Sequence, residues 1–431
     1  MKENAYGREI VIKKKDLSQF KSFICIPAVS NRKCCRCDMP IKYQTPCSTC
    51  LQFCGYCVSC INLGLLKECD YLVSYPEPKN KHRHVVFDFK GTLSNEQEKL
   101  SKRIEQAALS NEQLLVYAVT GAGKTEMIYN SIHRILEEGG RVCLSAPRVD
   151  VCIELSLRLK KVFPDENIAV LYGENTESYR YTKLVICTTH QLLRFKHAFD
   201  LLFIDEVDSF PFSNNPILTN RIEKVLKEKS SLILLTATPS KEQLKKIKKG
   251  TLSCVTLPAR YHKHPLVVPK SMYIGFWKKK PKVLFSILHQ FINKNQPFLV
   301  FLPNIDDMHV LEKQLKKAYP NLAIASVHAQ DSHRYEKIQS MRDNQYDCLL
   351  TTTILERGVT FKHIHVIVVD AHQPIFTTAS LVQIAGRVGR TVDAPSGLVY
   401  FLHNGASRYL KKAIKEIKHM NKLAKKRGLI L

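Results

Sequence analysis

From about residue 86 onward the chain alternates short, nearly continuous apolar runs with longer amphipathic stretches. Strand candidates are 114–119, 141–146, 168–172, 184–187, 201–205 and 232–237. A second series follows at 298–302, 323–327, 347–351, 365–370 and 398–402. Runs of Val, Ile and Leu without polar alternation suit parallel strands covered on both faces. Strand–helix alternation in two series predicts an α/β protein with two doubly wound parallel-sheet lobes. No internal repeat is visible.

Residues 256–282 break this rhythm. They hold Pro258, Pro265, Pro269 and Pro281 and a Trp277-Lys278-Lys279-Lys280 run, and read as a linker between lobes at 86–255 and 283–431. Trp277, set among lysines, is a candidate for stacking on a base. A further Pro- and Lys-bearing stretch, 75–84, sets off residues 1–85 as a separate N-terminal region. Residues 407–428 predict a basic amphipathic helix with Leu410, Ala413, Ile414, Ile417, Met420 and Leu423 on one face. It is expected to pack on the second lobe with its lysines outward rather than to lie in a membrane.

Composition changes this picture in two ways. The 431 residues carry 65 Lys+Arg against 39 Asp+Glu, a formal charge of +26, and 45% are hydrophobic. That apolar content excludes a disordered basic chain, and the charge points to a polyanionic partner. The excess is uneven: residues 1–85 carry +7, residues 86–240 carry −1 and residues 241–431 carry +20. No apolar run reaches membrane-spanning length. Cytoplasmic residence is therefore expected, with peripheral attachment at the inner face of the cell membrane through partners left open.

Ten of the 15 cysteines precede residue 70. A reducing compartment does not keep disulfides, so this density reads as metal binding. The pairs 34/37, 47/50, 54/57 and 57/60 are each C-x-x-C, and two such pairs complete a tetrahedral zinc site. Cys34, Cys37, Cys57 and Cys60 are the favoured set, with Cys47, Cys50 and Cys54 as alternates. Seven paired cysteines exceed four, so either some are spare or two metals bind. The module, about residues 30–70, is too poor in apolar residues to fold without such a staple.

The phosphate chemistry lies in the first lobe. After its first strand comes Ala118-Val119-Thr120-Gly121-Ala122-Gly123-Lys124-Thr125, opening a helix. Glycines let backbone N–H groups turn around phosphate oxygens; Lys124 would reach the β and γ phosphates and Thr125 would ligate Mg²⁺. The strict pattern has Gly where this chain has Ala118. Further on, the apolar run 201–204 ends in Asp205-Glu206-Val207-Asp208. This puts Asp205 on the Mg²⁺ side and Glu206 on the attacking water.

With these two motifs in order, the chain resembles superfamily 2 helicases, where the Ala form of the phosphate loop is usual. Gln97 matches the upstream glutamine that reads adenine. Ala146-Pro147-Arg148 and Thr188-Thr189-His190-Gln191 match backbone-touching motifs, Thr236-Ala237-Thr238 the coupling motif, and Thr351-Thr352-Thr353 opens the fifth motif. Gln383-Ile384-Ala385-Gly386-Arg387-Val388-Gly389-Arg390 matches Q-x-x-G-R-x-G-R. The resemblance implies two RecA-like lobes behind the small cysteine-rich zinc module, with ATP bound between them. It makes Lys124, Asp205, Glu206, Gln383, Arg387 and Arg390 catalytic, the arginines sharing one helical face. It also makes Gln97, Thr120, Gly121, Ala122, Gly123, Lys124 and Thr125 nucleotide-binding, and Arg148, Thr188, Thr189, Thr352 and Thr353 DNA contacts.

Cysteine pairs directly ahead of such a core, with Cys57-Val58-Ser59-Cys60-Ile61-Asn62-Leu63-Gly64 and Leu192-Leu193-Arg194-Phe195, resemble the ComFA family of late competence ATPases. That resemblance implies an ATP-, Mg²⁺- and Zn²⁺-dependent translocase of incoming single-stranded DNA. It also implies ComFC, the DNA-loading protein DprA and the membrane DNA-uptake channel as partners; an oligomer is left open. Two other readings stand beside it: a duplex-unwinding restart or repair helicase like PriA, and a scaffold that binds nucleic acid under an ATP switch without turnover.

Overall fold

The computed structural model describes residues 2–173, 179–212 and 215–430. By contact density the chain divides into two units: Met1–Val116 with Thr125–Thr236 and Lys241–Val255, and Tyr117–Lys124 with Ala237–Ser240 and Thr256–Leu431.

The N-terminal region is built from short strands: β1 (Ile10–Lys13), β2 (Ile24–Pro27), β3 (Val29–Ser30), β4 (Lys33–Cys34), β5 (Tyr43–Pro46), β6 (Phe53–Tyr56) and β7 (Asp70–Ser74). They form a three-stranded sheet, β1-β7-β2, and two antiparallel pairs, β3-β4 and β5-β6. Its own apolar cluster is small, centred on Ile12, Phe20 and Val73. Others of its buried side chains, including Cys34, Cys37, Cys57, Cys60, Leu63 and Leu66, share one core with Cys143, Cys187, Phe195 and Phe199 of the first lobe.

Polar bonds reinforce this junction. The Arg221 guanidinium donates to Glu9 Oε2 at 2.6 Å and to the Phe195 carbonyl at 2.7 Å, and both ionic side chains are 2% exposed. Arg194 accepts from the Glu9 N–H through its carbonyl and donates through Nη2 to the Leu63 carbonyl.

The first-lobe sheet comprises β8 (Gln113–Ala118), β9 (Val142–Ala146), β10 (Ile168–Leu171), β11 (Leu184–Thr188), β12 (Phe199–Ile204), β13 (Leu226–Thr236) and β14 (Ser253–Leu257). Its order is β10-β11-β9-β12-β13-β8-β14. Pairings from β10 through β13 are parallel, and the centres of β9, β11 and β12 are buried on both faces, as their unalternated Val, Ile and Leu require, while edge strand β10 is half-buried.

The second sheet runs β15-β20-β19-β16-β18-β17, every neighbour parallel. Its strands are β15 (Lys270–Tyr273), β16 (Phe298–Phe301), β17 (Ile324–Val327), β18 (Cys348–Thr351), β19 (His365–Val368) and β20 (Val399–His403). The stretch read as a linker therefore contains a strand: β15 is an edge strand whose exposed Lys270 and Tyr273 carry no apolar signature. Trp277 is no stacking candidate. It is 2% exposed in the core of this sheet, and its indole N–H donates to Asp370 at 2.7 Å. The C-terminal helix Arg408–Lys426 buries Leu410, Ala413, Ile417, Met420 and Ala424 and leaves its lysines outward.

Two stability consequences can be measured. Arg221→Met strands the Glu9 carboxylate in the core and is expected to cost about 3–5 kcal/mol in denaturant unfolding of the first unit. A loss under about 1 kcal/mol would show the pair to be dispensable. Glu77 lies buried against Lys227 at 2.7 Å and Lys183 at 3.0 Å and accepts from the Tyr181 hydroxyl. Burial opposes its charge, but Lys227, Tyr181 and Lys183 outweigh that and hold its carboxyl below the usual range. A depressed carboxyl stabilises the fold above its ordinary pKa and loses that contribution as pH falls through the lower folded value. Glu77→Gln should flatten that acid limb of the stability–pH curve.

Candidate active site and metal centre

Each chemical group sits where an apolar strand stops. β8 runs into the loop Val119–Gly123, and the helix Lys124–Met127 follows. Gly121 and Gly123 both adopt φ of +77°, a conformation that costs glycine nothing and turns successive N–H groups inward. Lys124 Nζ folds back to within 3.3 Å of the Ala118 carbonyl, and Thr120 is buried. Gln97 lies at the third position of the helix Asn95–Leu109. There its side-chain carbonyl accepts from Ser94 N–H at 2.9 Å and Ser94 Oγ at 3.0 Å, a capping box that holds the glutamine in one rotamer.

β12 ends at Ile204, and Asp205 and Glu206 follow. Asp205 is tied to β9 by its N–H to the Ser145 carbonyl, and its Oδ1 accepts from the Glu206 N–H at 2.8 Å. Glu206 adopts φ of +50°, a strained conformation for a residue with a Cβ, and such strain is concentrated at functional sites. Two residues on, Asp208 Oδ1 accepts from Thr236 Oγ1 at 2.7 Å. One hydrogen bond thus joins the carboxylate loop to the Thr236-Ala237-Thr238 segment.

The remaining positions fall at strand ends too. Arg148 caps the helix Val149–Val162 just after β9, and Thr188 ends β11, paired in register with Ala146. Thr189 is 1% exposed and its hydroxyl donates to the Ala146 carbonyl, so it shapes this edge from inside. Thr352 and Thr353 follow β18, where Thr351 Oγ1 donates to the Val327 carbonyl.

Gln383 is buried in the helix Thr378–Ala385. That helix stops at Gly386, and Gly389 turns at φ of +69°, so Arg387 and Arg390 lie in a turn beyond it. The single helical face expected for the two arginines is therefore corrected: the glycines end the helix first. Arg387 is 2% exposed, while Arg390 donates to the Val359 carbonyl and to Thr360 Oγ1.

Sequence reading passed over Arg260. Within the second unit its buried guanidinium makes four hydrogen bonds to backbone carbonyls: Thr120 at 3.1 Å, Val388 at 2.8 Å, Gly386 at 3.2 Å, and Gly389. Burial, with Arg390 adding to it, pulls its pKa down to about 9. No motif surrounds it, and only its place among prolines sets it apart.

In the cysteine module the sulfurs of Cys34, Cys37, Cys57 and Cys60 lie within 4.8 Å of one another, all buried. Cys34 to Cys60 spans 3.8 Å and Cys37 to Cys57 spans 3.4 Å. A tetrahedral zinc with bonds of about 2.3 Å separates its sulfurs by about 3.8 Å, so the donor set fits. A second observation favours bound metal. Arg36, inside the first C-x-x-C turn, is fully buried, and its three guanidinium nitrogens find no acceptor among the described residues. A zinc held by four thiolates carries two negative charges, which is what a buried guanidinium needs. Cys47, Cys50 and Cys54 stand apart from this group.

These features define a two-lobe helicase-type enzyme of superfamily 2 that hydrolyses ATP. Two family profiles match: "Type III restriction enzyme, res subunit" over residues 90–241 and "Helicase conserved C-terminal domain" over residues 279–392. The chain belongs to the competence protein ComFA family: it is 42% identical over 375 residues to that of Streptococcus pneumoniae, covering 86% of each chain. It is also 40% identical over 378 residues to that of Bacillus subtilis, covering 86% of this chain and 81% of the relative. Among solved structures, Saccharomyces cerevisiae Dbp5 bound to RNA and ADP BeF3 superposes with a TM-score of 0.57 at 16% identity. That match covers 76% of this chain and 93% of the other and supports the fold alone. No described helix is long and apolar enough to cross a membrane.

Arg260→Leu should leave the far-ultraviolet circular dichroism unchanged yet lower ATP turnover about tenfold. Each hydrogen bond lost from a buried cation is worth about 1.5–3 kcal/mol. Arg260→Lys should not restore the rate, because an ammonium cannot serve acceptors spread around a planar fork. Wild-type kcat and KM in the leucine variant would remove Arg260 from the machinery.

Proposed function

We propose that the chain is an ATP-driven translocase of single-stranded DNA, drawing in transforming DNA during competence and coupling hydrolysis to closure of its two lobes. The observation that carries turnover, over passive ATP binding, is the Asp205-Glu206 pair fixed at the end of β12 with Glu206 held in a left-handed backbone. Transport of DNA in competence rests on family membership. The charge of +20 over residues 241–431, spread over the end of the first lobe, the 256–282 stretch and the second lobe, supports a polyanionic track there.

In this reading the loop N–H groups of 121–124 and the Lys124 ammonium bind the phosphates, and Glu206 orients the attacking water. Arg387 and Arg390 supply positive charge to the transition state, and Gln383 helps to place them. Thr125 and Asp205 would hold Mg²⁺, which when bound offsets the charge of the β and γ phosphates. Gln97 would read adenine. Arg148, Thr188, Thr352 and Thr353 would meet the DNA backbone, with Thr189 beneath them. Cys34, Cys37, Cys57 and Cys60 would hold a structural zinc. ComFC, DprA and the uptake channel remain the partners implied by family, with the protein held at the inner face of the membrane through them.

The Thr236–Asp208 hydrogen bond links the carboxylate loop to a segment that runs directly into Ala237–Ser240 of the second unit. Through this bond, and the chain that continues from Thr236 into Ala237, a change around the bound phosphates would reach the second lobe.

Lys124→Ala should abolish ATP turnover stimulated by single-stranded DNA while leaving DNA affinity within about threefold. Turnover, translocation and strand-displacement assays run together separate the readings. Translocation without unwinding supports the uptake motor, and unwinding supports a restart-type helicase. DNA-stimulated hydrolysis that survives in the Lys124 variant would sink the motor reading.

A further inference from the structure

Cys47, Cys50 and Cys54 do not scatter. Their sulfurs gather with that of Cys69, all four within 4.8 Å of one another, and Cys47 to Cys69 spans 3.8 Å. Cys69 stands outside every C-x-x-C pair. Tyr56 bridges antiparallel to Lys67, and the Glu68 N–H donates to the Gly55 carbonyl. Two residues further along the same register, Cys54 lies opposite Cys69. Asp70 then anchors Cys69. It is fully buried, pairs with Lys13 at 2.9 Å, and accepts from the Lys67 N–H.

The two clusters share a backbone design. In the first, Cys34 N–H donates to the Met39 carbonyl, Asp38 N–H donates back to the Cys34 carbonyl at 2.8 Å, and Asp38 takes φ of +62°. In the second, Cys47 N–H donates to the Gln52 carbonyl, Leu51 N–H donates back to the Cys47 carbonyl at 2.8 Å, and Leu51 takes φ of +56°. The residue after each C-x-x-C turn is thus left-handed, and each turn brings its two sulfurs into one four-sulfur cluster. Leu51 is an unfavourable residue for that backbone, and it is 87% exposed, so no packing of its side chain holds it there. The Leu51 N–H bond to the Cys47 carbonyl closes the turn, and ligation of its two sulfurs on a common centre would add to that constraint.

We infer that Cys47, Cys50, Cys54 and Cys69 form a second four-thiolate zinc site, distinct from the Cys34, Cys37, Cys57 and Cys60 site. The inference rests on the metal reading of this module. Lys67 Nζ lies 3.5 Å from Cys47 Sγ, offering a cation to the thiolates. A disulfide is the rival fate of such a cluster, but the 3.8 Å span between Cys47 and Cys69 is the tetrahedral edge rather than the about 2.05 Å of an S–S bond. Eight of the ten N-terminal cysteines are then ligands, and Cys25 donates to the Phe20 and Phe23 carbonyls instead. In chain order the first site takes 34 and 37, the second 47, 50 and 54, the first 57 and 60, and the second 69. The interleaving ties the tip of the β5–β6 hairpin to the start of β7.

The experiment counts metal in the purified full-length chain and in Cys50→Ser and Cys60→Ser variants. Zinc is released by a thiol-blocking mercurial, and Co²⁺ replacement is followed by thiolate charge-transfer absorption. Two equivalents per wild-type chain, falling to one in Cys50→Ser, are expected. One equivalent that survives in Cys50→Ser overturns the second site and leaves the first standing. None in the wild type overturns the metal reading of both. One equivalent that disappears in Cys50→Ser keeps the second site and removes the first. Native alkylation mapped by mass spectrometry gives an answer that does not need Cys60→Ser to fold. Cys47, Cys50, Cys54 and Cys69 should be protected until chelator is added, and alkylation of all four in metal-loaded protein would refute the site.

Discussion

The cysteine module has too little apolar mass of its own to be a domain, and the structure answers this by building it into the core of the first lobe. The junction is rich in buried cations. Arg221 is matched by Glu9, but Arg36 is buried beside four sulfurs with no acceptor among the described residues. A guanidinium costs several kcal/mol to bury alone. The stability of the N-terminal region around Arg36 therefore depends on what charge those four sulfurs carry. Neutral thiols would leave Arg36 stranded; thiolates on a divalent metal would not. Arg194 responds to the same pair of influences, since Arg36 lowers its pKa after burial has done so and Cys60 raises it.

The first lobe shows how little side-chain invention an ATPase site requires once the strands stop in the right places. Glycine freedom at 121 and 123, one left-handed glutamate after β12 and one threonine–aspartate bond at the end of β13 supply the geometry. The charge of the whole chain adds nothing to this: residues 86–240 are close to neutral. Positive charge at the phosphate loop is local, and the surplus elsewhere is free to meet a long polyanion.

Most of the fold is legible in the sequence because buried parallel strands must be apolar throughout. β9, β11, β12, β16, β18 and β19 are all of this kind. β14 and β15 escape because an edge strand such as Lys270-Ser271-Met272-Tyr273 shows one face to water and needs only backbone partners. Trp277 misleads because flanking lysines report on its neighbours, while its own ring turns into the core beside Asp370. The cysteine pairs declare a metal site, but spacing alone cannot partition eight ligands. Cys69 meets its partners through an antiparallel register set by Tyr56 and Lys67, which no local pattern encodes. The helix ending at Gly386 is misread for a similar reason: apolar periodicity continues through Val388 although two glycines have already ended the turn.

Arg260 is the clearest case of a group that only tertiary structure can reveal, and its chemistry points toward a ligand. All four of its hydrogen bonds go to neutral carbonyls, and burial draws its pKa down to about 9, with Arg390 pressing the same way. The second unit thus concentrates Lys124, Arg260, Arg387 and Arg390 on loops that the phosphate loop belongs to by its contacts. Such a group of cations matches the chemistry of a polyphosphate, which offers each of them a charged acceptor. In the proposed cycle a bound nucleotide would offset that shared positive charge. The fork of Arg260 already holds the phosphate loop and the turn after Gly386 together, so the two would respond to that charge as one piece. Hydrolysis frees only the γ-phosphate, so in the proposed cycle the change these cations would feel is the loss of that one group's charge.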